Sequence, residues 1–276
     1  MPVPATDPRR PTPDRAGLDP GACAAPGWRV EVLGSSPSTN AELARRARDG
    51  ESAGLVLAAE HQTAGRGRLD RVWVTPARAA LTFSLLVDPV VPMSRWPWLP
   101  LLTGLAVRDA VIGRCGLDAR LKWPNDVLVE EQKVAGILVE LVEPPGSATG
   151  PLAVVGIGIN VSSTREELPV PTATSLALAG ATSLDRSLLL SAVLTACSKR
   201  YDAWRAAAGA GPRAAYAEAC STVGRRVQVQ LPGGDRLEGL AAGVDADGRL
   251  EVDDGTRVHV LGAGDVVHVR PAGGAR

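Results

Sequence analysis

The chain has 276 residues, of which 30 are basic and 30 are acidic, so its formal net charge is zero. The length fits one large domain or a large and a small one, and 45% hydrophobic and 22% charged residues exclude a wholly disordered chain. The neutral balance argues against a general nucleic-acid-binding or polybasic membrane protein, although it leaves room for a local basic pocket.

The sequence shows no targeting signal and no cysteine motif. No apolar stretch is long enough to predict a membrane span, and the N-terminal residues lack the apolar segment of a secretory signal. The four cysteines have no Cys-x-x-Cys spacing, which favours scattered thiols over a zinc site or a disulfide framework. We therefore predict a cytoplasmic protein with no membrane association.

The first 27 residues differ in composition from the rest. Residues 1–27 are rich in Pro, Gly, Ala, Arg and Asp and lack apolar periodicity, so we predict a disordered tail. A helix-turn-helix needs two or three amphipathic helices, and this segment supplies none. Removing residues 1–25 is accordingly expected to leave any activity intact.

A mixed α/β pattern follows over residues 28–220. Thr39 and Glu42 have the spacing of a capping box, which predicts a helix from there to about Asp49. Along the rest of this segment, apolar runs of strand length alternate with longer stretches of helical periodicity. The predicted strands are 30–33, 55–59, 81–87, 134–142 and 153–161, and the further predicted helices are 98–114, 188–208 and 212–220.

Residues 221–270 show the pattern of an all-β domain. Val227–Leu231 alternates strictly between apolar and polar residues, and turn signals follow at 232–235, 245–248 and 253–255. Short strands at such spacing predict a small β-barrel of about fifty residues. The predicted organisation is therefore a tail, a mixed α/β body and a C-terminal barrel.

The most unusual segment is a glycine- and arginine-rich loop. Residues 62–71 hold three arginines, Arg66, Arg68 and Arg71, interleaved with glycines. Glycines let the backbone bring its N–H groups against a ligand, and guanidinium groups match carboxylates and phosphates in a fork. No Gly-Lys-Ser/Thr follows, so the segment is not a Walker A loop. It suits an anionic ligand with several oxygens, and a solvated surface loop is the alternative.

Two further segments place a lysine near groups that can do chemistry. In the segment 122–126, Asp126 could hold Mg²⁺ bound to phosphates or accept a proton from an attacking amine, and Trp123 could pack against a flat ring. In the segment 133–140, Lys133 opens an apolar strand and Gly136 permits close approach by a ligand. The alternatives are a common Pro-Asn-Asp turn and a snorkelling surface lysine.

Polar residues at a helix start and a glycine-bearing strand complete the candidates. Ser38, Thr39 and Asn40 precede or open the first helix, where exposed N–H groups and hydroxyls bind a polar head group or simply cap the helix. The strand 155–161 carries two glycines, which indicates a bulge or a ligand lying on the backbone, and Asn160 could read a nucleotide edge. The strand lacks the spacing of a Rossmann fingerprint.

Taken in order, these motifs resemble those of the biotin–protein ligases. Ser-Thr-Asn, Gln-x-x-Gly-Arg-Gly-Arg, Lys-Trp-Pro-Asn-Asp, Lys-x-Ala-Gly-Ile-Leu-x-Glu and Gly-x-Gly-x-Asn-Val occur in the order and rough spacing of that family, over residues 28–270. The resemblance implies an α/β (α+β) fold. A mixed sheet with helices, similar to the catalytic domain of class II aminoacyl-tRNA synthetases, would be followed by a small SH3-like β-barrel.

The resemblance also implies an activity that uses ATP and Mg²⁺. Biotin's carboxylate attacks the α-phosphate of ATP to give biotinyl-5′-AMP and pyrophosphate. A lysine of a biotin carboxyl carrier domain, in acetyl-CoA carboxylase or a related carboxylase, then attacks the mixed anhydride. The implied type is a ligase without an N-terminal DNA-binding domain, acting as a monomer or weak homodimer with no DNA partner. The alternatives are a lipoate–protein ligase and a non-catalytic biotin-sensing regulator, and the arginine loop together with Lys-Trp-Pro-Asn-Asp favours biotin.

Positions that match the family's motifs are expected to form the site. The implied catalytic residues are Arg68, Lys133 and Asp126, the last also as a possible Mg²⁺ ligand. The implied biotin contacts are Ser38, Thr39, Asn40, Gln62, Gly65, Arg66, Gly67, Arg68, Lys133 and Gly136. The implied contacts of ATP or the adenylate are Arg66, Arg68, Arg71, Trp123, Asn125, Lys133 and Asn160. One departure is Asp70, which stands where the family commonly has glycine and could pair with Arg68 or Arg71.

Overall fold

A computed structural model describes residues 15–69, 71–144, 150–231, 234–262 and 264–268. The first nine strands are β1 (Arg29–Leu33), β2 (Leu55–Ala59), β3 (Gly65–Arg66), β4 (Val72–Trp73), β5 (Ala80–Val87), β6 (Ala119–Lys122), β7 (Asp126–Val129), β8 (Gln132–Val142) and β9 (Leu152–Asn160). The helices are α1 (Thr39–Arg48), α2 (Trp98–Cys115), α3 (Arg186–Ala206) and α4 (Arg213–Ala219), with a short 3-10 turn at Met93–Arg95.

Seven of these strands form one mixed sheet. Their order is β1-β2-β5-β9-β8-β7-β6, in which β1 and β2 run parallel and the other neighbours run antiparallel. Strands β5 and β9 are buried along their whole length because they lie at the centre of the sheet and helices cover both faces. The predicted mixed sheet with helices is confirmed.

Alternation along β2 divides its side chains between the two faces of the sheet. Val56 and Ala58 belong to the larger core, which also holds helices α2 and α3. Leu55 and Leu57 point to the opposite face and pack in a smaller cluster with Leu43 of α1. Full burial of one such leucine contributes about 2 kcal/mol. Helix α1 is therefore fixed against the sheet, and its N-terminus is held at one end of the strands.

Ser38, rather than Thr39, is the N-cap of helix α1. The Ser38 backbone is extended and its hydroxyl accepts the N–H of Ala41 at 3.4 Å. Thr39 and Asn40 are the first two residues of the helix and are both buried. Their side chains are free of the capping role and turn toward the sheet.

A second, smaller sheet follows after helix α4. It contains β10 (Arg226–Gln230), β11 (Arg236–Val244), β12 (Leu250–Asp253), β13 (Val258–Leu261) and β14 (Asp265–His268), all antiparallel, in the order β13-β12-β11-β10-β14. Alternate residues such as Val227 and Val229 are fully buried, as the sequence pattern predicts. The predicted small all-β unit at the C-terminus is confirmed, and we call residues 221–268 the barrel.

Two indole groups of the mixed α/β body join it to the barrel. The Nε1 of Trp98 donates to the carbonyl of Ala246 at 2.8 Å, and the Nε1 of Trp123 donates to the carbonyl of Gly248 at 3.3 Å. Both rings are almost fully buried, so each combines a large apolar contact with a satisfied donor.

The predicted disordered tail over residues 1–27 is wrong in its second half. Leu18, Cys23 and Ala25 are buried in the larger core, although their segment has the composition of a loop. Composition fails here because the ordering contacts come from side chains far along the sequence. The first half, residues 1–14, lies outside the described residues.

The four cysteines are buried and unpaired. Burial raises the pKa of the Cys115 thiol to about 11 and that of Cys197 to about 12. Among the described residues, no helix is both long enough and apolar enough to cross a membrane.

Candidate active site

A cavity of 1610 Å³ opens between one end of the large sheet and the barrel. Most of the residues that the motifs predict line it: Ser38, Thr39, Asn40, Gln62, Arg66, Gly67, Arg68, Arg71, Trp123, Asn125, Asp126, Lys133, Gly136 and Asn160. The predicted residue Gly65 lies just behind this wall, buried in β3, where a Cβ would overlap the carbonyl oxygen of Trp73.

A chain of hydrogen bonds forms the polar end of the cavity. The backbone N–H and the hydroxyl of Thr39 both donate to Gln62 Oε1, at 2.8 and 3.0 Å. The Ser84 hydroxyl lies 2.7 Å from Thr39 Oγ1 and 2.6 Å from Asn40 Oδ1. The start of helix α1 is thereby tied to strand β5 and to the arginine loop.

Glu140 continues this chain toward the arginine loop. Its Oε2 accepts a hydrogen bond from Asn40 Nδ2 at 2.7 Å and one from Arg66 Nη2 at 2.9 Å. The ion pair between Arg66 and Glu140 joins the base of the arginine loop to strand β8. The two residues lie far apart in the sequence, so local patterns do not predict this contact. Neither Ser84 nor Glu140 is among the site residues that the sequence predicts.

Two facing glycines form a bare patch on the sheet, and Trp73 covers it. Gly136 of β8 and Gly158 of β9 are register partners, so neither strand presents a side chain there. A Cβ on Gly158 would come within 2.5 Å of the Trp73 ring. The Nε1 of Trp73 is buried without a hydrogen-bond partner among the described residues. Sequence reasoning missed Trp73: glycines in both strands indicate a close approach by some group, but they face each other only in the register of the folded sheet.

A cationic group stands on the opposite side of the cavity. Lys133 Nζ lies 2.5 Å from Asp126 Oδ1 and 5.9 Å from the centroid of the Trp73 ring. The backbone of Lys133 is held by the segment 172–174, since its N–H donates to the carbonyl of Thr172 and its carbonyl accepts from Thr174, both at 2.8 Å. These two hydrogen bonds fix the position of the Lys133 backbone, from which the ammonium reaches the cavity.

Arg68 is the partly buried guanidinium of the arginine loop. It has no ion-pair partner among the described residues, and burial lowers its pKa while the nearby carboxylates of Asp126 and Asp265 act in the opposite direction. A guanidinium stays charged in spite of such burial. Among the described residues, Arg68 is therefore a cation without a direct ion pair, and it lines a large cavity.

Arg71 fastens the arginine loop to the barrel. Its guanidinium forms an ion pair with Asp265 at the start of β14, and this hydrogen bond is the main reason why the pKa of Arg71 is raised. The partner of Arg71 is thus Asp265 in the structure. Asp70, which the sequence suggested as a partner for Arg68 or Arg71, lies outside the described residues.

Loss of this ion pair is expected to loosen the loop. Asp265→Asn should accelerate tryptic cleavage after Arg66 and Arg68 by up to about fivefold, because an exposed ion pair contributes at most about 1 kcal/mol. Asp235→Asn, an exposed barrel substitution, serves as the control. Equal cleavage rates in the two variants would show that the pair does not hold the loop.

Three of the seven residues that the resemblance implies as contacts of ATP or the adenylate support the cavity wall. Trp123 is only 2% exposed and its Nε1 is bonded to the barrel. Asn125 Nδ2 donates to the carbonyl of Ile137 and Asn160 Nδ2 donates to the carbonyl of Thr174, both at 2.9 Å. The side-chain amide of Asn160, which could read a nucleotide edge according to the sequence, thus donates to the backbone in the structure.

Two family profiles match the chain. The profile described as "Biotin/lipoate A/B protein ligase family" matches residues 30–160, which include the cavity's polar end, Arg68 and Lys133. The profile described as "Biotin protein ligase C terminal domain" matches residues 222–269, within which the barrel strands lie.

Curated relatives extend this similarity over nearly the whole chain. The chain is 43% identical to the biotin--[acetyl-CoA-carboxylase] ligase of Mycobacterium tuberculosis, over 95% of this chain and 97% of that protein. The chain belongs to the biotin–protein ligase family. It is also 31% identical to the bifunctional ligase/repressor BirA of Escherichia coli, over 81% of this chain and 69% of BirA.

Solved biotin–protein ligases have the same fold. The Aquifex aeolicus enzyme in complex with biotin and ATP matches with a TM-score of 0.73 and 28% identity, covering 88% of this chain and 99% of that one. The Leishmania major enzyme in complex with biotinyl-5-AMP matches with a TM-score of 0.57 and 25% identity, covering 88% and 99% of the two chains. The predicted family and fold class are thus confirmed.

Proposed function

We propose that the protein activates biotin with ATP to biotinyl-5′-AMP and transfers the biotinyl group to a lysine of a biotin carboxyl carrier domain, in acetyl-CoA carboxylase or a related carboxylase. The observation that carries this proposal is that one cavity holds a hydrogen-bonding end and two cations, Arg68 of the arginine loop and Lys133 of strand β8. Family membership and the Aquifex aeolicus complex with biotin and ATP support it.

The polar end of the cavity suits the ring system of biotin. A ureido group offers two N–H donors and one carbonyl acceptor, and it needs partners of both kinds when it leaves water. Thr39, Asn40, Gln62 and Ser84 supply hydroxyls and amides that already hold one another in fixed orientations. A pre-oriented set of this kind binds a polar ligand with a smaller loss of side-chain entropy.

Lys133 and Arg68 suit the chemistry of the first step. The biotin carboxylate must approach a triphosphate, and a pair of like unit charges about 4 Å apart costs about 4 kcal/mol at an effective dielectric of about 20. Fixed cations aimed at the reacting oxygens offset this repulsion as the new P–O bond forms and pyrophosphate leaves. Arg68 has no ion pair with any described residue to give up, and Lys133 has only to turn from Asp126.

Asp126 suits the second step. When the acceptor amine attacks the mixed anhydride, it forms the amide, releases AMP and loses a proton. The carboxylate of Asp126 lies in the cavity wall beside Lys133 and can take that proton. The ion pair keeps the carboxylate oriented until the substrates arrive.

Magnesium would enter this site on the phosphates of ATP. The described residues hold no group of three or more His, Cys, Asp or Glu side chains that fits a metal ion. Asp126 is the predicted ligand, and one carboxylate is a usual protein contribution when phosphates and water complete the Mg²⁺ shell. The ion would supply charge neutralisation at the phosphates.

The four unpaired thiols support a reducing, cytoplasmic setting for the reaction.

Mass spectrometry of a carrier domain tests the proposed function. Incubation of the domain with this protein, ATP, Mg²⁺ and biotin is expected to add one biotinyl group to it. A carrier whose acceptor lysine is replaced by arginine should stay unmodified, and lipoate in place of biotin should give no product. An unmodified wild-type carrier, or equal use of lipoate, would contradict the proposal.

A further inference from the structure

A buried ion pair lies at the entrance to the arginine loop and needs the N-terminal segment to complete it. Arg186, the first residue of helix α3, has a side chain only 3% exposed, and its Nη2 lies 2.7 Å from Glu60 Oε2. Arg186 Nη2 also donates to the carbonyl of Ala16 at 2.5 Å, and Glu60 Oε1 accepts the N–H of Leu18 at 2.5 Å. A buried charge pair requires such extra hydrogen bonds to offset its desolvation.

Glu60 connects this ion pair to the polar end of the cavity. It directly follows strand β2, and His61 and Gln62 come next in the chain. The carbonyl of His61 accepts the N–H of Ser36 at 3.0 Å, and Gln62 Oε1 accepts both donors of Thr39. A shift of Glu60 would therefore move Gln62 and the start of the arginine loop.

The same N-terminal segment also reaches the other wall of the cavity. Arg15 Nη2 lies 2.6 Å from Glu167 Oε2, and that oxygen also accepts the N–H of Thr164 at 3.0 Å. Glu167 lies five residues before the segment 172–174, which pairs with the backbone of Lys133. The loop under Lys133 and the loop that carries the arginines are thus fastened to one short piece of chain.

Helix α3 holds this piece of chain in place. The N–H of Asp19 donates to Ser187 Oγ at 3.0 Å, and Ser191 Oγ donates to the carbonyl of Ala24 at 2.8 Å. Cys23 is completely buried between these two contacts. The segment therefore has its own anchor on a rigid element.

We infer that residues 15–25 form a strap that positions the two walls of the cavity, and that Glu60 and Arg186 are the positioning residues through which it acts. None of the described residues of the strap lines the cavity. It sets the placement of Gln62 and of the segment beneath Lys133. Removing it leaves Glu60 Oε1 and Arg186 Nη2 without the backbone partners that they have now. The expectation from composition, that residues 1–25 are dispensable, is thereby reversed.

A matched pair of substitutions at Leu18 tests the strap in the full chain. Leu18→Pro removes the N–H that Glu60 accepts, whereas Leu18→Ala keeps it, and both remove the buried side chain. In biotin-dependent ATP–pyrophosphate exchange, which rests on the proposed function, Leu18→Pro is expected to raise the KM for biotin about fivefold relative to Leu18→Ala, with kcat little changed. Equal KM values for the two folded variants would overturn the inference.

Hydrogen–deuterium exchange separates failure of the strap from failure of the proposed function. Exchange is expected to be faster in residues 60–69 of Leu18→Pro than of Leu18→Ala, whether or not biotin is the substrate. Arg15→Gln should accelerate exchange in residues 164–174, and Arg29→Gln, which removes a comparable ion pair with Glu51, should not. This second pair carries the test if Leu18→Pro does not fold, and unchanged exchange in 164–174 would then refute the strap.

Discussion

Lys133→Ala is expected to lower the rate of biotin-dependent ATP–pyrophosphate exchange by roughly 100-fold or more, as loss of a single preorganised transition-state donor does elsewhere. The ammonium is the cation that stands beside Asp126 on the cavity wall, with its backbone fixed by the segment 172–174. Among the described residues, Lys122 is the one other lysine that lines the cavity, and it sits on strand β6, which strand β7 separates from β8. The substitution removes a positive charge from the place where the biotin carboxylate and the α-phosphate meet.

Two variants control this result. Lys199→Ala removes an exposed lysine on helix α3 and is expected to leave exchange unchanged. Lys133→Arg keeps the charge but replaces a compact ammonium with a planar fork, so it should recover only part of the rate. Circular dichroism should show that all three variants are folded. Exchange at the wild-type rate in Lys133→Ala would remove this residue from the mechanism.

Gly156→Ala is expected to weaken biotin binding by about 100-fold or more. Gly156 is the register partner of Ser84, and a Cβ there would overlap Asn40 Oδ1. Asn40 would have to leave Ser84 and Glu140, and each lost buried hydrogen bond costs about 1–3 kcal/mol. Titration calorimetry with biotin measures the effect directly.

Gly113→Ala is the matched control for this substitution. Gly113 is an exposed residue inside helix α2, and a Cβ there meets nothing within 4 Å. Alanine should stabilise the helix by up to about 1 kcal/mol and leave biotin affinity as it is. If Gly156→Ala bound biotin as tightly as Gly113→Ala, the polar end of the cavity would not be the biotin site.

Most of the fold follows from local patterns. The strictly alternating segment at Val227 predicts a half-buried strand, because its side chains repeat with a period of two. The short apolar runs in β2 and β9 are typical of buried strands. The loop with Arg66 and Arg68 was recognisable because glycines and arginines at that density have few structural uses. Periodicity and local composition are properties of residues adjacent in the sequence, so they can be recognised before the fold is known.

The missed parts of the site depend on contacts between distant segments. Ser84 and Glu140 belong to buried or partly buried strands and gain their roles only when β5 and β8 meet helix α1. Trp73 lies on a glycine patch that exists only once β8 and β9 pair in register. Single-sequence patterns carry no register, so such partners stay hidden.

The ordered strap is a second case in which contacts between distant segments defeat a prediction from local sequence. Its composition predicts disorder, yet three small or apolar side chains, Leu18, Cys23 and Ala25, are buried there. Helix α3, more than 150 residues further along the chain, supplies the polar partners that its backbone requires. A short segment of this kind becomes ordered because it packs against a surface formed by distant parts of the chain.

The central claim is that Arg68 and Lys133 converge on the point where biotin's carboxylate meets the α-phosphate of ATP. A crystal structure of the protein with biotin and a non-hydrolysable ATP analogue tests it most directly. We expect biotin's rings against Thr39 and Gln62, and both cations within hydrogen-bond distance of the carboxylate or the α-phosphate. Ligands bound elsewhere, or an arginine loop and a Lys133 side chain turned away from both compounds, would contradict the account.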